Sequence, residues 1–328
     1  MKIQQRKQSM FENIKLAKFR IELTAETEIR LPPYAGSTLR GAFGSSFRQT
    51  VCTMGDTGCS QCLLQSKCVY HQIFETPVTQ DAPRFLRGVK TAPRPFIIEP
   101  PVQHSGLFKP GDTLRFHLVL IGSFAGYLPF FVQSFIRMAQ KGFGKGRGRA
   151  RLTHVFQLNP DGTERLTYNG ESHLLDFNVQ TYSPTAWYNG ALPNGNELDL
   201  EFITPTRLKH QGRITTEITP RQLVFALYNR CNQLNFFHCN GADNPDYLKE
   251  LLTASENIEF THRNIRWHDW ERYSQRQQTR MKLGGFLGKL GLRGDLAPLW
   301  LLFKTGELLH IGKATTFGLG KYEIIAEY

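Results

Sequence analysis

Residues 14–24 alternate, with Phe19, Ile21 and Leu23 apolar against Arg20, Glu22 and Thr24, the pattern of a half-buried strand. Pro32-Pro33 ends that run. Ser37 to Val51 follows with Leu39, Phe43 and Phe47 four apart, which predicts a helix. Pro95 to Val102 reads as a short extended segment, and Leu114, Phe116, Leu118 and Leu120 alternate in a second clear strand. Leu128, Phe131, Val132, Phe135, Ile136 and Ala139 return to helical spacing, so Leu128 to Lys141 is an amphipathic helix. A glycine loop, Gly142-Phe-Gly-Lys-Gly-Arg-Gly-Arg149, leads into a strand from Ala150 to Leu158.

That order is β-α-β-β-α-β, a ferredoxin-like unit. The second half repeats it. Leu198, Leu200 and Phe202 alternate, and Thr219-Pro220 opens a helix through about Phe237, as an N-cap followed by proline should. Ile258 to Trp267 and Met281 to Leu292 read as a strand pair. Asp295 caps a helix carrying Leu299, Leu302 and Phe303, and Tyr322 to Ala326 closes the unit. Both halves end in helix, basic glycine loop and strand, and this internal repeat outweighs any single element. The predicted architecture is α+β, with two tandem ferredoxin-like (βαββαβ, RRM-like) domains bearing glycine-rich loops. The boundaries are 1–158, a linker with short extended pieces, rich in Asn, Gly, Pro, Ser and Thr, at 159–196, and 197–328.

Charge changes the picture next. The 328 residues hold 40 Lys and Arg against 28 Asp and Glu, a net charge of +12 that favours a polyanionic partner, most simply nucleic acid. No apolar run reaches the roughly 18 residues of a membrane span, and Met1 to Ser9 is too polar for a signal peptide. The expected location is the cytoplasm.

The basic residues cluster in three places. The C-terminal loop places Lys313 and Lys321 among Gly312, Gly318 and Gly320, a combination suited to phosphates. The loop at 142–149 offers Lys145, Arg147 and Arg149, with Arg151 just beyond. Arg272, Tyr273 and Arg276 lie in a stretch of arginines and aromatics fit to grip phosphates and stack on bases.

Four of the six cysteines, Cys52, Cys59, Cys62 and Cys68, are spaced C-x₆-C-x₂-C-x₅-C. In a reducing compartment four such thiols predict a metal site: structural zinc, with an iron–sulfur cluster as the alternative. The cluster occupies an insertion (52–68) in the first domain.

Two ferredoxin-like units, each with a glycine-rich loop before its last strand, resemble the RAMP superfamily of CRISPR systems. The segments Arg272-Tyr-Ser-Gln-Arg-Gln277, Met281-Lys-Leu-Gly-Gly285 and His310 to Tyr322 make the C-terminal half similar to endoribonucleases that process CRISPR precursor RNA. Leu39-Arg-Gly-Ala-Phe-Gly44 and the cysteines place the chain beside a cysteine-bearing branch. The resemblance implies metal-independent cleavage within the repeats of the precursor transcript, by 2′-OH attack that leaves a 2′,3′-cyclic phosphate. It also implies CRISPR repeat RNA as partner, together with other CRISPR effector subunits. A proton-transfer group is needed at each oxygen, and cations for the charged transition state. His310, ending a helix at the mouth of the glycine loop, is the first candidate. Tyr34 matches the place where relatives hold a catalytic tyrosine, and Arg40 and Lys313 are candidates to stabilise the phosphorane. Many members carry a histidine on the first helix, whereas residues 35–51 contain none. That departure sustains an alternative: a catalytically silent RAMP subunit that holds guide RNA.

Overall fold

The computed structural model describes all residues except 1–9, 56–57, 76–77, 79–82, 87–88, 90–91, 103–105, 189–195, 275–278 and 326–328. The chain divides into two compact units. The first runs from Lys15 to Tyr182 and includes Phe237–Asn240. The second comprises the segment through Ile14, Ser183–Phe236 and Gly241–Tyr328.

The first unit is built on β1 (Leu16–Ala25), α1 (Gly36–Val51), β2 (Phe96–Glu99), β3 (Thr113–Ile121), α2 (Leu128–Lys141) and β4 (Ala150–Leu158). The sheet order β2-β3-β1-β4 with antiparallel pairing is the ferredoxin-like arrangement that the alternation predicted. β1 is central, with Ile21 opposite Phe116 on one side and Val155 on the other. Its odd-numbered residues from Ala17 to Leu23 are fully buried and its even-numbered ones half-buried. That asymmetry follows from the period of two along a strand.

Both helices cover the buried face. Phe43 on α1 meets Phe131 and Phe135 on α2 at ring-centroid distances of 5.1 and 4.9 Å, and Phe96 of β2 at 5.7 Å. Aromatic pairs at such distances add to what burial alone contributes.

One boundary differs from the sequence reading. Residues expected to form a linker supply two further strands, β5 (Glu164–Asn169) and β6 (Leu174–Leu175), which extend the sheet to six strands. Arg165 anchors this extension through an ion pair with Asp176 at 2.6 Å. The turn at 159–163 closes on Asp161, whose carboxylate accepts the Thr163 N–H at 3.0 Å. Turn-forming residues here join strands rather than domains.

The second unit repeats the plan with β7 (Glu197–Thr206), α3 (Pro220–His238), β8 (Glu259–His268), β11 (Gly285–Arg293), α5 (Trp300–Leu309) and β12 (Tyr322–Ile325). Its sheet order, β8-β11-β7-β12, is the same as the first unit's. A helix α4 (Pro245–Ala254) and a hairpin of β9 (Glu271–Ser274) with β10 (Thr279–Lys282) are inserted. The strand expected from Met281 to Leu292 is therefore two strands, divided at Gly284. A Cβ at Gly284 would press on the Trp267 ring at 2.5 Å.

Thr219 opens α3 with a reciprocal cap. Its backbone N–H donates to Gln222 Oε1 at 2.9 Å, and its hydroxyl accepts the Gln222 N–H at 3.2 Å. No helix among the described residues is long and apolar enough to cross a membrane.

Candidate nucleic-acid interface

The two glycine loops use their glycines for different purposes. In the first unit the loop leaves α2 at Gly142 and folds back on the segment after β1. Gly142, Gly144 and Gly146 have positive φ, and so does Arg147. The Lys145 N–H donates to the Arg30 carbonyl at 2.9 Å, and the Arg149 N–H to Thr27 Oγ1 at 2.8 Å. The backbone is thus tied to residues 27–30, while the side chains of Lys145, Arg147, Arg149 and Arg151 stand exposed. None of these four makes an ion pair among the described residues. Four residues beyond Arg30 lies Tyr34, in the same unit.

In the second unit the loop is internal scaffolding. The Ile311 N–H donates to Gly320 at 2.9 Å, Gly320 to Pro205 at 3.2 Å and Gly318 to Thr315 at 2.8 Å, in each case to the backbone carbonyl. Lys321 donates its N–H to Thr204 Oγ1 at 2.8 Å. A Cβ on Gly320 would run into the Ile311 carbonyl, and one on Gly312 would meet the Arg207 carbonyl at 2.5 Å. The expectation that Gly318 and Gly320 present N–H groups to a phosphate is corrected: close backbone packing uses those donors. Lys313 projects into solvent, with its N–H held by the Arg207 carbonyl at 3.0 Å.

His310 is corrected likewise. It was expected at the loop's mouth, but its ring is fully buried, with Nδ1 3.1 Å from the Leu319 carbonyl oxygen. Its backbone adopts φ 57°, ψ 164°, a region L-residues rarely occupy and one that costs about 1–3 kcal/mol. Arg230, also buried, contacts the Leu309 carbonyl with Nε and Nη2, both at 3.3 Å. Burial lowers the Arg230 pKa to about 10.

Tyr34 is largely enclosed beside the first helix. Burial, followed by the negative charge of Glu99, holds its hydroxyl well above the ordinary tyrosine range. It therefore stays protonated at neutral pH. Glu99 is itself buried, 3.2 Å from Lys18 Nζ and 3.8 Å from His117 Nδ1. Arg40, half-buried on α1, stacks its guanidinium over the Phe74 ring at 5.0 Å.

The remaining candidates are spread out. Arg272 and Tyr273 lie on β9, paired in register with Met281 and Arg280. Arg276 falls outside the described residues. Four thiols suit a tetrahedral metal by their chemistry, yet no three His, Cys, Asp or Glu converge among the described residues. Cys52, Cys59, Cys62 and Cys68 are separate, half-buried free thiols. Cys52 closes α1, donating its N–H to Arg48 at 2.8 Å. Cys62 and Cys68 each close a 3₁₀ turn, Cys62 donating its N–H to the Cys59 carbonyl and Cys68 to the Gln65 carbonyl, both at 3.4 Å. A zinc or iron–sulfur staple remains the expectation that the four thiols carry by their chemistry.

Residues 14–179 match the AF_1859_N family model, an N-terminal domain, and residues 200–322 match the model of the CRISPR-associated endoribonuclease Cas6. The chain belongs to the family of the first model, which spans half of it, and its residues 200–322 match a Cas6 endoribonuclease domain. An uncharacterized protein of Archaeoglobus fulgidus is 22% identical over 309 residues, which make up 90% of this chain and 93% of that one.

Solved structures share the two-domain fold. A Cas6 product complex superposes with a TM-score of 0.58 at 19% identity, over 94% of this chain and 100% of the other. Thermus thermophilus Cas6 gives 0.52 at 19% identity, over 95% and 99%. A partial Cas6-RT-Cas1–Cas2 complex gives 0.56 at 15% identity, over 96% of this chain and 46% of that one.

Sequence reasoning missed the exposed face of α2. The signal was present: from 113 to 160 the chain contains no Asp or Glu at all.

Proposed function

We propose that the protein cuts CRISPR precursor transcripts within their repeats and releases mature guide RNAs, without a metal ion. The match of residues 200–322 to the Cas6 endoribonuclease model carries this reading. In the reaction the RNA's 2′-oxygen bonds to the adjacent phosphorus as the P–O5′ bond breaks. One proton leaves the 2′-OH and another reaches O5′, giving a 2′,3′-cyclic phosphate and a 5′-hydroxyl.

Tyr34, half-buried where the His310 ring is fully enclosed, carries a phenolic proton at neutral pH and is assigned to protonate O5′. Burial and Glu99 raise its pKa and so weaken it as an acid. In the first unit Arg40 supplies charge for the phosphorane and Lys145, Arg147 and Arg149 hold neighbouring phosphates; Lys313, in the second unit, is assigned to the RNA backbone. In this reading His310 acts by locking the loop that carries Lys313, since its own ring is enclosed. Arg272 and Tyr273 on β9, together with Arg276, are assigned to the repeat's base-bearing part.

The enclosed His310 and the histidine-free first helix favour one second reading, a RAMP subunit that holds guide RNA without cutting it. Incubating the protein with repeat RNA in EDTA separates the two. Cutting that stops when a single 2′-deoxy is placed at the scissile site supports the nuclease, whereas tight binding with no product supports the subunit. Tyr34→Phe should lower the cutting rate about 10²–10⁴-fold with binding retained. Full activity in that variant removes Tyr34 from the mechanism.

A further inference from the structure

α2 buries Leu128, Phe131, Val132, Phe135, Met138 and Ala139 and turns its other face outward. On that outer face lie Phe130, Gln133, Arg137 and Lys141, at the i, i+3, i+7 and i+11 spacing of a single stripe. Phe130 is 38% exposed, unusual for phenylalanine in a helix whose other aromatics are buried. Its ring centroid lies 6.0 Å from that of half-buried Tyr127. Arg137 donates Nη1–H to the Gln49 carbonyl at 2.9 Å, and Lys141 Nζ contacts Gln49 Oε1. These contacts position both cations on α1 without neutralising them. The stripe runs directly into Lys145, Arg147, Arg149 and Arg151.

The charge balance of the same unit shows how unusual this face is. On the opposite, open side of the sheet, Lys18, Arg20 and Arg115 are ion-paired with Glu99, Glu22 and Glu164. Along the helix stripe and loop, six cations from 137 to 151 have no carboxylate partner among the described residues. Like charges at i, i+4 oppose helix stability, so the fold retains a repulsion that a polyanion would relieve. An exposed aromatic at one end of a cationic row adds a stacking surface for an unpaired base.

We propose that the outer face of α2 is a track for single-stranded RNA, with a base stacked on Phe130 and the phosphates following Arg137 and Lys141 to the 145–151 loop. The track rests on the reading of the protein as an RNA-processing enzyme and accommodates a flank of the transcript that is not base-paired. Its contacts are with phosphates and a base face, so it discriminates little between sequences.

The test measures fluorescence anisotropy of a 20-nucleotide uridine oligomer, which cannot form a hairpin, with the full chain over a salt series. Arg137→Gln/Lys141→Gln should flatten the slope of log K against log[salt] by about 1.4, at roughly 0.7 for each phosphate no longer neutralised. Phe130→Ala should weaken binding roughly tenfold and leave that slope unchanged. Arg115→Gln, on the other side of the sheet, should match wild type. Thermal midpoints establish that each variant is folded, and Lys141→Gln alone should give half of the double variant's change. Wild-type affinity and slope in both the Phe130 and the Arg137/Lys141 variants overturn the track, even if repeat RNA is still cut. Wild type that binds the oligomer through these residues but never cuts repeat RNA sinks the nuclease reading and leaves the track standing. Failure of wild type to bind the oligomer at all overturns the track and leaves an acidic protein surface as its occupant.

Discussion

The two glycine loops use nearly the same residues to do opposite things. In the first unit, glycines bend the chain so that Lys145, Arg147 and Arg149 face solvent. In the second, they let backbone pack on backbone around a buried His310, with Lys313 exposed and Lys321 half-buried. Both loops pack backbone on backbone: a Cβ at Gly142, Gly144 or Gly148 would collide with a carbonyl as one at Gly320 would, and Gly146 at the tip of the first loop is the open position, with nothing within 4 Å. What separates the two is that the first loop turns three cations outward around that open tip. A run of glycine and lysine therefore announces a tight loop, and only its surroundings decide between a phosphate cradle and a piece of core.

The largest effect that can break this comparison is at Gly320. Gly320→Ala should cost about 3 kcal/mol or more in denaturant unfolding, through steric overlap and positive φ combined. Gly146→Ala, strained but unobstructed, should cost about 1–2 kcal/mol. Equal losses at the two sites would remove the distinction.

RNA binding should reverse the ranking. Replacing Lys145, Arg147 and Arg149 together by Gln should lower the salt slope for repeat RNA by about 2, whereas Lys313→Gln should lower it by about 0.7. A larger change at Lys313 would return the phosphate contacts to the C-terminal loop.

A further difference comes from alkaline pH. Burial raises the pKa values of Tyr188, Tyr228, Tyr247 and Tyr322 in the second unit and takes the Cys231 thiol to about 12. In the unfolded chain these tyrosines ionise near pH 10, so folded stability is intact below that value and falls as pH rises beyond it. Arg230, with its pKa lowered to about 10, opposes the trend with a single group. Circular dichroism during a pH 9–12 titration should show the second unit failing before the first, where Tyr34 and Tyr168 are the raised tyrosines.

The smallest effect concerns His310. Its backbone angles suit glycine, so His310→Gly should be more stable than His310→Ala by about 1 kcal/mol, against the usual order. The usual order, with Ala the more stable, would mean that the loop is relaxed there.

Much of the fold was legible because strands and helices repeat with different periods. β4 and α2 fall on the boundaries that alternation and helical spacing predicted. The hidden parts were those where composition misleads. β5 and β6 lie in a segment of turn formers, and their pairing, β5 on β4 and β6 on β5, is what makes them strands. α4 follows a cap, Asn244, whose Oδ1 accepts the Tyr247 N–H at 3.1 Å, inside a stretch too short for a clear period. Site chemistry was harder to read, because burial is a tertiary property. Nothing in the sequence around His310 records that Gly320 and Leu319 fold over it. Likewise, the cysteine spacing could not show that Cys59 opens and Cys62 closes one 3₁₀ turn while Cys68 closes the next.

The division of the chain into units carries a last consequence. Met10, Phe11 and Ile14 are buried, and their segment counts with the second unit; Phe11 packs edge-on against Tyr247 at 6.1 Å. In return, Phe237–Asn240 count with the first, where His238 Nε2 is 2.5 Å from the Pro93 carbonyl oxygen. Each half thus borrows a short piece of chain from the other's stretch of sequence. A clone cut at Tyr182 would leave each fragment missing a piece the other holds. Neither half is then a free-standing module for shuffling, and split-protein complementation would demand that the fragments exchange segments before either could fold.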